Sequence, residues 1–158
     1  MNLFTVPAPA QQLRILAVAS EGGHWVQLLR LAPVFAGHAV EYLTTNAQLG
    51  ATVPQPVHVV RDANLWTKWQ LLLMSAEVFW LLLRLRPDVV ITTGAAPGLA
   101  AVAAGRLLGA RTVWLDSMAN AEGLSGSGRL ARRLAHQCLT QWDNVADGER
   151  VQCWGSVL

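Results

Sequence analysis

The sequence predicts a doubly wound α/β fold with a mostly parallel sheet, and three observations lead to this prediction. Five short, nearly continuous apolar runs have the character of strands, at residues 13–19, 38–44, 57–60, 88–93 and 111–116. Helical patterns lie between these runs, and several runs end in loops that contain glycine. Apolar strands that alternate with helices are typical of a parallel sheet covered on both faces.

The elements follow one another in a regular order. The first strand ends in the turn 20–24, and a helix with apolar residues at helical spacing follows at residues 25–35. An alanine-rich helix at 98–108 separates the last two strands and ends at Gly109, a residue type that commonly terminates helices. Neither a repeat nor a linker divides the 158 residues, which predicts one domain at 13–158 after a flexible arm at 1–12.

Charge and cysteine content argue against nucleic acid and metal ligands. Twelve Lys and Arg against ten Asp and Glu give a net charge of +2, and Lys68 is the only lysine, so no basic run offers a footprint for nucleic acid. Cys138 and Cys153 have neither CxxC spacing nor a histidine cluster beside them, so neither a disulfide framework nor a zinc site is indicated. We therefore expect no metal, no cofactor and no nucleic acid partner.

Three loops follow predicted strands and should lie together, because parallel strands present their carboxyl ends at one edge of a sheet. These loops are residues 20–24, 93–98 and 116–128. The first places His24 at a helix start, where it is either a general base or a hydrogen-bonding cap. The second either opens a helix N-terminus to a ligand or is a tight turn required by packing. In the third, Asp116 either orients a substrate hydroxyl or holds the loop through hydrogen bonds.

Residues 66–85 form a predicted helix that is apolar almost all round. The charges of Lys68, Glu77 and Arg84 argue against a membrane span. Two interpretations stay open: the helix packs between the sheet and a neighbouring element, or one of its faces lies in a lipid interface. The membrane contacts in the second interpretation are Trp66, Trp69 and Trp80, with Lys68, Arg84 and Arg86 near the headgroups.

Five motifs, in this order and spacing, resemble one family. They are strand-SEGGH-helix, PDVVITTGAAPG, TVWLDSMANAEGLSGSGRLARRLA, the pair Gln141-Trp142 and the closing pair Trp154-Gly155. On these motifs the chain is similar, from residue 13 onwards, to the acceptor-side, membrane-associated subunit of the two-component N-acetylglucosaminyltransferase of asparagine-linked glycosylation. The resemblance extends to the bacterial exopolysaccharide and capsule relatives of that subunit.

The resemblance implies half of a glycosyltransferase. The chain would be equivalent to the Rossmann-like N-terminal domain of a GT-B enzyme, and its length leaves no room for a second such domain. It would bind a polyprenyl-linked sugar acceptor at the cytoplasmic face of the inner membrane, as a peripheral or monotopic protein. A separate small chain would hold the nucleotide sugar, and the heterodimer would carry out an inverting transfer in polysaccharide biosynthesis.

The resemblance also implies roles for individual residues. His24 and Asp116 would be catalytic. The implied acceptor-binding residues are Gly22, Gly23, Gly94, Pro97, Gly98, Ser117 and Asn120.

The C-terminal end is the predicted contact with the partner chain. A strand followed by an apolar tail with Trp154, Val157 and Leu158 would otherwise be exposed, although a final core strand explains the same pattern. Two rival functions also stay open. One is a noncatalytic scaffold that stabilises and localises a partner transferase at the membrane, and the other is a self-sufficient sugar-nucleotide enzyme, such as an epimerase-like fragment.

Overall fold

The computed structural model describes residues 11–63 and 67–157, and one parallel sheet forms its centre. The strands are β1 Arg14–Val18, β2 Ala39–Thr44, β3 Val57–Val59, β4 Val89–Thr92, β5 Arg111–Leu115, β6 Gln137–Thr140 and β7 Val151–Cys153. Their order in the sheet is β3-β2-β1-β4-β5-β6-β7, and every neighbouring pair is parallel. The helices are α1 Gly23–Arg30, α2 Lys68–Leu85, α3 Ala95–Leu107 and α4 Gly126–Leu134, with short 3-10 turns at Ala32–Phe35 and Ala47–Thr52.

Helices cover the two faces of the sheet unequally. Alternate side chains of a strand point to opposite faces, so each strand contributes to two cores. On one face Ile15 and Tyr42 pack against Trp25 and Leu28 of α1. On the other face α3 packs between α2 and α4, and their apolar side chains meet the other residues of the same strands. One helix therefore covers one face, and three cover the other.

Two glycines bring α3 directly onto the sheet. A side chain at Gly98 would collide with Thr92 of β4, and a Cβ at Gly105 would lie 2.9 Å from Val90 and 3.1 Å from Thr112. This close contact sets the distance between α3 and the strands β4 and β5. It also brings the start of the helix to the carboxyl edge of the sheet.

The structure confirms the doubly wound parallel fold and corrects some of its elements. All five predicted strands are present, but α3 begins at Ala95 rather than at residue 98, and α1 ends at Arg30 before a 3-10 turn. The strand β6 was not predicted from the sequence, because its buried positions are Cys138 and Thr140 and a threonine does not register in an apolar pattern. The prediction for the arm at 1–12 falls largely outside the described residues.

Gly105→Val is expected to lower the free energy of unfolding by about 2 kcal/mol, because its branched side chain needs the space of Val90 and Thr112. Denaturation with guanidinium chloride measures this change. Gly123→Ala is the control, since nothing lies within 4 Å of its Cβ position, and its effect should stay within about 0.5 kcal/mol. Equal losses in both variants would contradict the close packing of α3.

Candidate functional site

The first two predicted loops are joined by a pair of hydrogen bonds between His24 and Thr93. The imidazole Nδ1 of His24 lies 2.8 Å from the carbonyl oxygen of Thr93. In return, the hydroxyl of Thr93 donates to the carbonyl oxygen of His24 at 2.7 Å. Because Thr93 is fully buried, the start of α1 and the end of β4 are held as one unit.

The contact with Thr93 determines which nitrogen of His24 carries the proton. A carbonyl oxygen only accepts hydrogen bonds, so Nδ1 is the protonated nitrogen and donates. In the neutral ring, Nε2 then carries the lone pair. His24 is half-buried and lines a cavity of about 300 Å³. An imidazole held in this tautomer beside a cavity is suited to accept a proton from a bound hydroxyl.

Gly94 gives the imidazole its space. Its φ of 129° lies in the region that favours glycine. A Cβ at this position would lie 2.9 Å from Cε1 and 3.0 Å from Nδ1 of His24. The next residue, Ala95, also has a positive φ of 65° and lines the cavity. The turn at 94–95 is therefore strained, and it brings the start of α3 beside His24.

Three helices begin at this cavity. His24 of α1, Ala95 of α3, and Gly126 and Ser127 of α4 all line it. The first turn of each of these helices contains no acidic residue. Because helix N-termini carry partial positive charge and free N–H groups, the cavity is suited to a ligand rich in oxygen or negative charge.

Asp116 lies under the third loop, and its carboxylate is engaged by the protein. Its side chain is almost fully buried, and it accepts hydrogen bonds from Ser125 N at 2.8 Å, Ser125 Oγ at 2.6 Å and Trp114 Nε1 at 3.2 Å. Ser125 Oγ in turn accepts from Gly128 N at 2.9 Å and caps α4. Of the two roles considered for Asp116, the structure shows the one that holds the loop. A catalytic role for Asp116 stays a prediction.

The third loop contributes polar side chains and backbone to the cavity wall. Ser117 and Asn120, both predicted to bind the acceptor, line the cavity together with Ser125. Gln27 and Gln141 lie behind the wall, and neither was predicted from the sequence as a site residue. Gln27 donates to Ser117 Oγ at 3.2 Å. A signal for Gln27 exists in the sequence, because it is a polar residue on the otherwise apolar inner face of α1.

The remaining predicted acceptor-binding glycines and proline lie around the cavity without lining it. Gly22 and Gly23 are exposed at the start of α1, and the φ of Gly22 is 71°. Pro97 and Gly98 are buried in the first turns of α3, where Gly98 packs on β4. The structure thus places Pro97 and Gly98 in the packing between α3 and the sheet.

Cys138 is close to Asp116 but has no nucleophilic character. Burial, and after it the charge of Asp116, raises the pKa of its thiol to about 12. The thiol therefore stays protonated at neutral pH.

α2 has two apolar faces. Met74, Val78 and Leu82 point to the core, whereas the opposite face leaves large apolar side chains exposed: Trp69, Leu72, Phe79, Trp80 and Leu83. The predicted membrane-contact residues Lys68, Trp69, Trp80, Arg84 and Arg86 are all exposed, and Trp66 lies outside the described residues. No helix within 11–63 or 67–157 has the length and hydropathy needed to cross a membrane.

An apolar groove runs beside the C-terminal tail, which we define as residues 154–157. The groove has a volume of about 480 Å³, and its walls include the half-buried side chains of Ile91, Val113 and Leu139 from the adjacent strands β4, β5 and β6. Trp154 is 70% exposed at its edge, and Val157 is half-buried. The third predicted partner contact, Leu158, lies outside the described residues. Residues 151–153 form the last strand, as one of the two interpretations predicted, and the contact of the tail with a partner chain stays a prediction.

Comparisons with known proteins find a similar sequence and several solved structures with a similar fold. The chain is 25% identical over 174 residues to the UDP-N-acetylglucosamine transferase subunit ALG14 of Mus musculus, covering 88% of this chain and 80% of that protein. Its fold is similar to MurG of Acinetobacter baumannii, with a TM-score of 0.78, 16% identity and 92% of this chain covered. It is also similar to the UDP-GlcNAc 2-epimerase of Methanocaldococcus jannaschii, with a TM-score of 0.69, 14% identity and 91% covered.

The chain spans 46% of the length of each of these two solved structures. No protein-family model matches it. The structural likeness confirms the predicted Rossmann-like fold, equivalent to the N-terminal domain of a GT-B glycosyltransferase.

Asp116→Asn is expected to lower the free energy of unfolding by about 2 kcal/mol, because an amide NH2 must then face a donor of Ser125 where a carboxylate oxygen accepted. Chemical denaturation measures the loss, and hydrogen exchange at the Ser125 amide locates it. Glu122→Gln is the control, since Glu122 is exposed on the same loop. Unchanged stability and unchanged protection at Ser125 would show that the carboxylate does not hold the loop.

Proposed function

We propose that the chain is the acceptor-binding subunit of a heteromeric, inverting glycosyltransferase. It acts on a polyprenyl-linked acceptor in polysaccharide biosynthesis, and a partner chain supplies the nucleotide sugar. The observation that carries the proposal is the similarity to a UDP-N-acetylglucosamine transferase subunit along 88% of this chain and 80% of that subunit. The cavity at the carboxyl edge of the sheet gives the proposal a site.

The chemistry of the cavity fits an acceptor that combines sugar and phosphate. Helix N-termini at Ala95 and Gly126 offer N–H groups and partial positive charge to phosphate oxygens. Ser117 and Asn120 offer polar groups for sugar hydroxyls on the same wall. A polyprenyl-linked sugar presents both kinds of group next to each other, because its sugar is attached to the lipid through phosphate.

His24 is proposed as the general base. Its Nε2 takes the proton of the acceptor hydroxyl while that oxygen attacks the anomeric carbon of the donor sugar. The new bond joins the acceptor oxygen to the anomeric carbon, and the bond from that carbon to the nucleoside diphosphate breaks on the opposite side, which inverts the configuration. The carbonyl of Thr93 stabilises the imidazolium that forms, because it accepts from Nδ1 at 2.8 Å. Asp116 acts as a positioning residue for the loop that carries Ser117.

The apolar groove beside the tail is proposed as the docking site of the donor-binding chain. Parallel sheets are normally covered on both faces, yet Ile91, Val113 and Leu139 of the adjacent strands β4, β5 and β6 remain half-buried here. An exposed tryptophan at the groove edge, Trp154, is the kind of residue that anchors protein interfaces. Since the sequence relative is itself a transferase subunit, a donor-binding chain is the occupant to which we commit, with Trp154, Val157 and Leu158 as contacts.

The outer face of α2 is proposed to bind the membrane surface at the cytoplasmic side of the inner membrane. Trp69 and Trp80 are 71% and 60% exposed on the same face of the helix. Indole side chains favour the boundary between lipid tails and headgroups. Lys68, Arg84 and Arg86 lie at the two ends of this face, where cations meet lipid phosphates.

Two alternatives remain to be separated from this proposal. A noncatalytic scaffold would bind the partner chain and the membrane but no acceptor. A self-sufficient sugar-nucleotide enzyme would act without a partner. The fold alone does not separate the second alternative, because the structural likeness extends to UDP-GlcNAc 2-epimerases.

His24→Ala is expected to lower kcat for sugar transfer by about 10²- to 10⁴-fold in the reconstituted pair, while binding of the partner chain is unchanged. The assay co-expresses the chain with the short transferase-like product of a neighbouring gene and follows label from a nucleotide sugar into extracted lipid. His58→Gln is the matched control, because His58 lies on the outer strand β3, where it pairs with Glu41 of β2. Unchanged kcat would rule out the base role.

The same assay separates the alternatives. Activity of this chain without a partner would support the self-sufficient enzyme. A stable pair that neither transfers sugar nor binds the lipid-linked acceptor would support the scaffold. Association with no such partner would overturn the proposed function itself.

The double variant Trp69→Ser, Trp80→Ser is expected to reduce vesicle binding by at least about tenfold, since each exposed indole contributes on the order of 1–2 kcal/mol in the lipid interface. Flotation with vesicles of phosphatidylcholine and phosphatidylglycerol measures the bound fraction. Val34→Ser is the control, because Val34 is 70% exposed but lines the groove on the other face of the sheet. Equal binding by all variants would contradict the assignment to α2.

A further inference from the structure

Two buried glutamines connect the C-terminal tail with the loop that forms the acceptor site. Gln27 and Gln141 are only 4% and 6% exposed, and Nε2 of Gln141 donates to Oε1 of Gln27 at 2.7 Å. Gln27 lies on α1, three residues after His24, and Gln141 directly follows β6. The pair therefore lies between the proposed base, the acceptor loop at residues 116–125 and the tail.

On one side the glutamines hold three consecutive residues of the acceptor loop. Gln27 accepts from the backbone N–H of Met118 at 3.2 Å and donates to Ser117 Oγ at 3.2 Å. Gln141 donates to the carbonyl oxygen of Asp116 at 3.0 Å. The path of the loop along the cavity wall thus depends on both side chains.

On the other side Gln141 and the end of α1 hold the tail. Oε1 of Gln141 accepts from the backbone N–H of Val157 at 3.0 Å. The guanidinium of Arg30, the last residue of α1, donates to the carbonyl oxygen of Val157 at 2.8 Å. Both backbone groups of Val157 are therefore bound, at a residue that also lines the apolar groove.

The tail and the acceptor loop are linked because a buried amide group that loses a hydrogen-bond partner costs free energy. Within residues 11–63 and 67–157, every fully buried polar side-chain atom has a hydrogen-bond partner. If Val157 moves away, Gln141 must rotate or leave its carbonyl oxygen unpaired, and rotation breaks its bonds to Gln27 and Asp116. A displacement of the tail is thereby converted into a change in the acceptor loop.

We propose that Gln27 and Gln141 are positioning residues through which docking of the donor-binding chain on the tail organises the acceptor loop. The partner fixes Val157, Gln141 and Gln27 transmit that constraint, and Ser117 and Met118 take up the geometry that the acceptor requires. This inference rests on the proposed function for the identity of partner and acceptor. The hydrogen-bonded link itself belongs to the chain alone.

Val157→Pro in the full chain tests the link between tail and loop. It removes the backbone N–H from which Gln141 accepts a hydrogen bond, and it leaves both glutamines intact. Hydrogen exchange at the Met118 amide, followed by NMR, is expected to accelerate about fivefold or more, although Met118 bonds to Gln27 and not to Val157. Trp154→Ala is the matched control, since it retains the Val157 amide, and exchange at Met118 should stay within about twofold. Amides of β1 report any general loss of stability.

The reverse direction gives a second readout, because coupling between two sites is reciprocal. Gln27→Leu is expected to accelerate exchange at the Val157 amide about fivefold or more, although Gln27 has no bond to Val157. Gln27→Glu should restore slow exchange, because a carboxylate still accepts from Met118 and Gln141 and the Ser117 hydroxyl can turn to donate to it. A merely structural role would not predict rescue by the charged variant.

The transfer assay completes the test. In the reconstituted pair, Gln141→Leu should raise the KM for the lipid-linked acceptor about tenfold and leave the KM for the nucleotide sugar unchanged. Unchanged exchange at Met118 in Val157→Pro, or an equal rise in both KM values for Gln141→Leu, would overturn the inference. If the pair transfers no sugar at all, the proposed function fails, whereas the exchange measurements still decide whether tail and loop are linked.

Discussion

The buried carboxylate of Asp116 is the constraint on which the candidate site depends. A charge with 2% exposure is stable only when donors surround it. Ser125 provides two of them and Trp114 the third. Ser125 also caps α4. The Asp116 side chain therefore fixes the end of β5, the closure of the loop and, through Ser125, the start of α4. The part of the cavity wall formed by the third loop therefore depends on the hydrogen bonds to this carboxylate.

Much of the fold was predictable because apolar strands and glycine-containing turns are local signals. β1, β2, β3, β4 and β5 follow from runs of neighbouring residues, and the meeting of the loops follows from the geometry of parallel strands. The start of α3 at Ala95 was not predictable, because a non-glycine residue at φ 65° contradicts local preference and is held there by the packing of Gly98 on Thr92.

The site was predictable at the level of loops and less so at the level of side chains. His24, Ser117 and Asn120 come from two of the predicted loops and line one cavity, but the partners that orient His24 and Ser117 come from distant parts of the chain. Thr93 is 69 residues from His24, and Gln141 is 114 residues from Gln27. Gln27 stands out locally as a polar residue on an apolar helix face, but no local pattern in the sequence names the residue with which it pairs. Such pairs emerge only when the sheet order is known.

The contact between Gly94 and His24 makes these two positions interdependent. A methyl group at 94 would lie 2.9 Å from Cε1 of His24, which is closer than a normal contact, so the ring would have to move from its present position. The orientation of His24 is thus a property of two positions in the sequence rather than one. A substitution at 94 would therefore displace the imidazole from its contact with Thr93 even though residue 24 itself is unchanged.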